Sequence, residues 1–115
     1  MIKGFEEYTE PLNDYEQTTL LPVIVKGLST KTNKDKAITN GKMVKALRDA
    51  GYTGLSEPRI RKIINHIRVN GLIKNLVASN KGYWIEENIN ARKEYVLSIK
   101  QRAASMMASL NHIEI

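Results

Sequence analysis

The sequence predicts an α+β fold that is mostly α. Three observations carry this. Two short stretches of helical hydrophobic period, near residues 40–50 and 56–70, are joined by a turn containing glycines. The period then shortens to that of strands, with a tight hairpin signal between two of them. Last comes a seam of apolar residues spaced three and four apart through residues 88–115, the mark of one long helix.

Composition bounds the rest. The chain has 115 residues, enough for one domain with an appended element. It has no Cys, which excludes a disulfide framework, a cysteine zinc site and a thiol nucleophile. No apolar run approaches the length of a membrane span, and the first residues are acidic rather than a hydrophobic signal core. The expectation is a cytoplasmic protein with no membrane partner. Its net charge of +6 is unevenly spread. Residues 1–25 hold one Lys and five acids, residues 26–82 thirteen Lys or Arg and three acids, and residues 83–115 four of each. A basic middle with few acids is the footprint of a polyanion binder, although basic proteins without such a partner are common.

The expected organisation is a flexible acidic arm over residues 1–12, a folded domain over 13–87 and a C-terminal helix over 88–115. Asn13 caps a first helix running to Leu28, with Asp14 and Glu16 in its first turn and Leu20, Leu21, Ile24 and Leu28 as its apolar face. Pro22 lies inside that pattern and predicts a kink or break near Leu21. Ser29 to Lys36 is a basic loop, and Ala37 to Thr39 is a candidate for a brief edge strand.

Thr39 or Asn40 then caps a helix with the stripe Met43, Val44, Leu47 and Ala50. Gly51-Tyr52-Thr53-Gly54 supplies turn chemistry. The next helix begins with Ser56 as cap, Glu57 at the positive dipole end and Pro58 in the first turn, and ends at Gly71. Ile60, Ile63, Ile64 and Ile67 form one face; Arg61, Lys62, Asn65, His66 and Val69 form the opposite one. Two amphipathic helices with a compact turn make a helix-turn-helix. A back of isoleucine and a basic, hydrogen-bonding front suit entry into a major groove, whereas the plainer reading is a solvated face. After Gly71, residues Leu72–Ala78 and Tyr83–Ile85 read as strands, with Ser79-Asn80-Lys81-Gly82 as the hairpin turn.

A helix-turn-helix followed at once by N-G-L-I at 70–73 and N-K-G-Y-W-I at 80–85 resembles the winged-helix DNA-binding family over roughly Ala37 to Glu86. With L-L-P-V-I-V-K-G-L before it and a long helix after, the whole chain also looks like small winged-helix proteins of phages and mobile elements. The resemblance implies a winged helix-turn-helix with an extra N-terminal helix and a long C-terminal one. It implies sequence-specific binding of double-stranded DNA through a recognition helix over 56–70 and a wing over 72–86, in control of replication or transcription. Arg61, Lys62, Asn65 and His66 then face the groove, with Ser56 and Arg59 at the start of the same helix. Thr39 and Asn40 offer a helix N-terminus to a phosphate, and Lys81 lies at the wing tip. The single basic residue of the wing departs from a large minor-groove contribution. Arg61 and Asn65 are the candidates for reading guanine and adenine, while Lys62 is better suited to a phosphate.

In the last helix Val96, Ile99, Ala103, Met106, Leu110 and Ile113 follow Ile89 at a and d positions, with Arg92 the one charged intruder. This predicts a dimerisation helix and a homodimer; the alternative is a helix folded back on its own domain. Catalysis fits poorly. There are two His, no acidic pair in an apolar pattern, no phosphate loop and no metal-ligand spacing, so no catalytic residue, cofactor or metal is expected. The alternative to DNA binding is a non-enzymatic protein-interaction module on the same scaffold.

Overall fold

A computed structural model describes residues 11–115; residues 1–10, most of the expected acidic arm, lie outside the described residues. The fold is mostly helical with one small antiparallel sheet. A π-helical turn, Glu16–Leu20, runs directly into α1, Leu21–Leu28. A single 3-10 turn, Lys34–Lys36, precedes α2, Asn40–Asp49, and α3, Glu57–Val69. The hairpin β1, Leu76–Ser79, and β2, Gly82–Ile85, leads to α4, Ile89–Leu110.

The first helix starts as its sequence predicts. The Glu16 amide donates to Asn13 Oδ1 at 2.8 Å, and the Asn13 amide donates to Glu16 Oε1 at 2.9 Å, a reciprocal capping box. The irregularity expected at Pro22 is a π turn rather than a break. The Leu21 amide donates to the Glu16 carbonyl, one residue further back than an α-helix allows. Widening the helix just before Pro22 accommodates a residue that has no amide and whose ring crowds the carbonyl one turn back.

α2 and α3 pack with α1 around one core. Leu20, Ile24 and Leu28 meet Met43, Val44 and Leu47, and both meet the four isoleucines of α3, all at most 2% exposed. Each fully buried Ile contributes about 1.5–3 kcal/mol, so α3 is the most heavily invested element. Ala50, expected in the α2 stripe, is exposed. Leu12, assigned by sequence to the loose arm, packs against the core.

α3 ends in a Schellman motif. Gly71 takes a φ of 63°, the Leu72 amide reaches the Ile67 carbonyl at 3.0 Å, and the Gly71 amide reaches that of Arg68 at 3.4 Å. This geometry shortens the first predicted strand. Residues 72–75 are turn and bend, with Asn75 also left-handed at φ 63°, and pairing begins at Leu76. Leu76 pairs with Ile85, Val77 with Trp84, Ala78 with Tyr83 and Ser79 with Gly82.

The candidate edge strand at 37–39 is one bridge. Ile38 and Tyr83 exchange backbone hydrogen bonds at 3.1 and 2.9 Å. Gly82 makes this possible, because a Cβ there would lie 2.2 Å from the Ile38 carbonyl oxygen. Trp84 is buried, with Nε1 donating to Glu86 Oε1 at 3.3 Å. No described helix is long and apolar enough to cross a membrane.

α4 leaves this core. Asn88 caps it, accepting from the Ala91 amide at 3.0 Å, and none of its residues is buried. The alternative in which it folds back on its own domain is not what the chain adopts.

Candidate nucleic-acid interface

α3 divides into three longitudinal strips, not two. Its isoleucines face the core. The strip with Arg59 and Lys62 faces the start of the first helix, where Glu16 is 1% exposed. Arg59 Nε lies 3.1 Å from Glu16 Oε2, and Lys62 Nζ lies 2.7 Å from Glu16 Oε1. Arg59 also donates through Nη1 to the Gly54 carbonyl, and its guanidinium sits 5.7 Å from the centre of the Tyr15 ring. The Tyr15 hydroxyl donates to the Thr53 carbonyl at 2.6 Å. The turn between α2 and α3 is thus strapped to the first helix around one carboxylate.

Burial pushes the Glu16 carboxyl up. The hydrogen bonds from Lys62 and the Asn13 amide and the charges of Lys62 and Arg59 outweigh it, so the net displacement is downward. Glu16 is therefore a carboxylate at neutral pH, satisfied on both oxygens.

This corrects the expected position of Lys62. Its place on the helical wheel is opposite the isoleucines, but its side chain is only 12% exposed and is spent on Glu16. Arg59 is likewise committed to Glu16 and Gly54. A wheel knows the angle around one helix; it does not know which flank a second helix covers.

The third strip is open. Arg61 has a side chain 38% exposed, with Nη2 3.8 Å from Glu57 Oε1, a loose pair one turn apart. Asn65 is exposed one turn further on. Arg68, which sequence reasoning left out, continues the strip and donates to the Tyr95 hydroxyl of α4 at 2.7 Å. His66 is half-buried beside Asn70, whose Nδ2 lies 3.3 Å from His66 Nδ1 and donates to its carbonyl at 2.9 Å.

The remaining expected residues lie at element starts and at the hairpin. Thr39 Oγ1 accepts from the Lys42 amide and Ser56 Oγ from the Arg59 amide, both at 3.2 Å, so these hydroxyls act as caps. Thr39 and Asn40 share a shallow concavity of about 200 Å³ with Glu57 and the hairpin residues Ser79, Asn80 and Gly82. Lys81 is exposed at the hairpin turn, its amide bonded to Ser79 Oγ at 3.0 Å. Lys42, Lys45 and Arg48 are exposed along α2. Among the described residues no group of three His, Cys, Asp or Glu gathers to hold a metal.

No family model, no curated protein and no solved structure matches this chain.

Proposed function

We propose that this protein binds double-stranded DNA as a winged helix-turn-helix. α3 enters the major groove, the β1–β2 hairpin serves as a short wing, and the α2 N-terminus lies near phosphate. The element order, with a bridge at Ile38 beside the hairpin, fits that architecture. The observation that carries the reading is the open strip of α3. It presents Arg61, Asn65 and Arg68 in successive turns, and its one acid, Glu57, sits at the first turn beside Arg61. A guanidinium and an amide one turn apart match bidentate recognition of neighbouring base pairs. Arg59 and Lys62 belong to the scaffold that holds α3, not to the groove surface. α4 is the self-association element of a homodimer, and the process served is control of replication or transcription.

Fluorescence anisotropy with random duplex DNA across a salt series tests this. Binding weakens steeply with salt in the wild type. Arg61→Ala reduces the slope of log K against log salt by about one, as expected for one lost contact. Asn65→Ala leaves that slope and instead relaxes sequence preference at one position, by about 1–3 kcal/mol. Absence of binding at low salt overturns the proposal. If Asn65→Ala leaves sequence preference untouched while an acidic protein competes for the strip, the surface is a protein-docking face instead.

A further inference from the structure

α4 projects from the domain with its whole seam in solvent. Val96 is 49% exposed, Met106 70% and Leu110 59%, and Ala103 is exposed between them. At its root the helix stands off from the hairpin and leaves an open notch of about 660 Å³. One wall is Ile73, Leu76 and Val77; the other is Ile89, Val96 and Leu97. The notch is apolar at the bottom, and its charged rim is basic, with Arg68, Arg92, Lys93 and Lys100 and no acid. Arg92, the intruder in the seam, is drawn aside: its Nη1 donates to the carbonyls of Glu86 at 3.1 Å and Glu87 at 2.9 Å. Its guanidinium is anchored at the helix start, leaving the stem to face the notch.

We propose that this notch receives the distal half of α4 from a second copy of the chain, running antiparallel, and that the contact is reciprocal. The inference rests on the homodimer reading above and adds its orientation, register and docking site. The seam itself argues for this arrangement. In an antiparallel pair, a positions meet d positions. Setting Ile99 against the partner's Ala103 automatically sets Val96 against the partner's Met106 and Arg92 against the partner's Leu110. Each of these three layers then combines a larger with a smaller or more flexible side chain, which close packing favours. A parallel pair instead stacks Ala103 on the partner's Ala103, leaving a void, and brings Arg92 onto the partner's Arg92. The distal half of α4 also has no buried residue, and it carries no acid or base from Ala103 to Leu110. A helix without charge is the occupant that an apolar notch with a basic rim accepts, since it adds no further positive charge.

Two consequences follow from the register. The symmetry axis passes level with Gln101, so the two Ile89 positions lie about 36 Å apart along the helices at about 1.5 Å per residue. Near the axis Lys100 lies across from the partner's Arg102, and Arg102 from the partner's Lys100. Salt screens such pairs, so dimerisation tightens with added salt while DNA binding weakens.

The chain has no Cys, so single cysteines introduced at Gln101 and at Asn90 carry spin labels without background. Light scattering gives the mass, and pulsed electron resonance gives the distance between the two labels in a dimer. The antiparallel register places the Gln101 labels level with each other and the Asn90 labels about 33 Å apart along the axis. Equal distances at the two sites mean a parallel dimer and overturn this inference while leaving the homodimer intact. A monomeric mass overturns both. Leu97→Glu tests the notch itself, because Leu97 lies off the a/d seam and is exposed in the single chain. It weakens dimerisation about tenfold or more if the partner helix covers it. Unchanged dimerisation shows that the helices pair without using the notch.

Discussion

Glu16 shows how much one side chain decides. It caps the first helix, ties down the α2–α3 turn through Arg59, and holds Lys62 away from the open strip of α3. Removing one partner of a buried ionic cluster leaves charge uncompensated, so Glu16→Ala costs about 3–5 kcal/mol in urea unfolding. The pH dependence has a defined sign. The folded carboxyl titrates lower than the unfolded one, whose pKa is about 4.3. The stability it contributes is therefore fully present above that value and is lost as pH falls through the folded pKa. The wild type exceeds Glu16→Gln in stability at pH 7, and chemical denaturation shows the difference closing in acid. Gly82 is the second decisive residue. Gly82→Ala drives a methyl group into the Ile38 backbone, so the bridge opens and the thermal midpoint drops, with little change in helix content by circular dichroism.

At the scale of elements, the proposed function gives α3 two jobs with separable residues. Lys62→Met lowers stability but leaves the salt slope of DNA binding unchanged, because that ammonium belongs to Glu16. Arg61→Ala does the reverse, acting on DNA with little effect on the melting temperature, since its pair with Glu57 is exposed and spans 3.8 Å. Measuring both variants by anisotropy and by thermal melting separates the strips. Most of this element was legible in the sequence: the cap at Ser56, the four isoleucines and the stop at Gly71 are all where the periodicity put them. The flank that Tyr15 and Glu16, just before α1, cover was not legible. The two contacts that reveal it, Arg59 and Lys62 with Glu16, span more than forty residues of sequence, and no local pattern announces them. The hairpin was legible in its turn but not in its length, because the Schellman motif after α3 consumes residues 72–75.

The whole molecule is a small core with one long arm. Its radius of gyration is 15.8 Å, against about 13 Å expected for a compact chain of this size. The excess comes with α4, whose 22 residues contribute nothing to the buried core. This exposed apolar surface is what the proposed self-association would cover. Met106→Glu with Leu110→Glu yields monomers by light scattering, and because neither residue touches the core, the melting temperature extrapolated to low concentration stays the same. An unchanged mass means that the seam is not a subunit interface. By itself the sequence determined the helices, their caps, the seam and the concentration of positive charge, since each is written in spacing or composition within a few turns of chain. Only the tertiary structure decided which cations remain at the surface of α3, why Arg92 is tolerated in the seam, and that α4 stands clear of its domain. Those outcomes depend on where distant segments cross, and a buried carboxylate or a projecting helix is defined by its surroundings rather than by its neighbours in sequence.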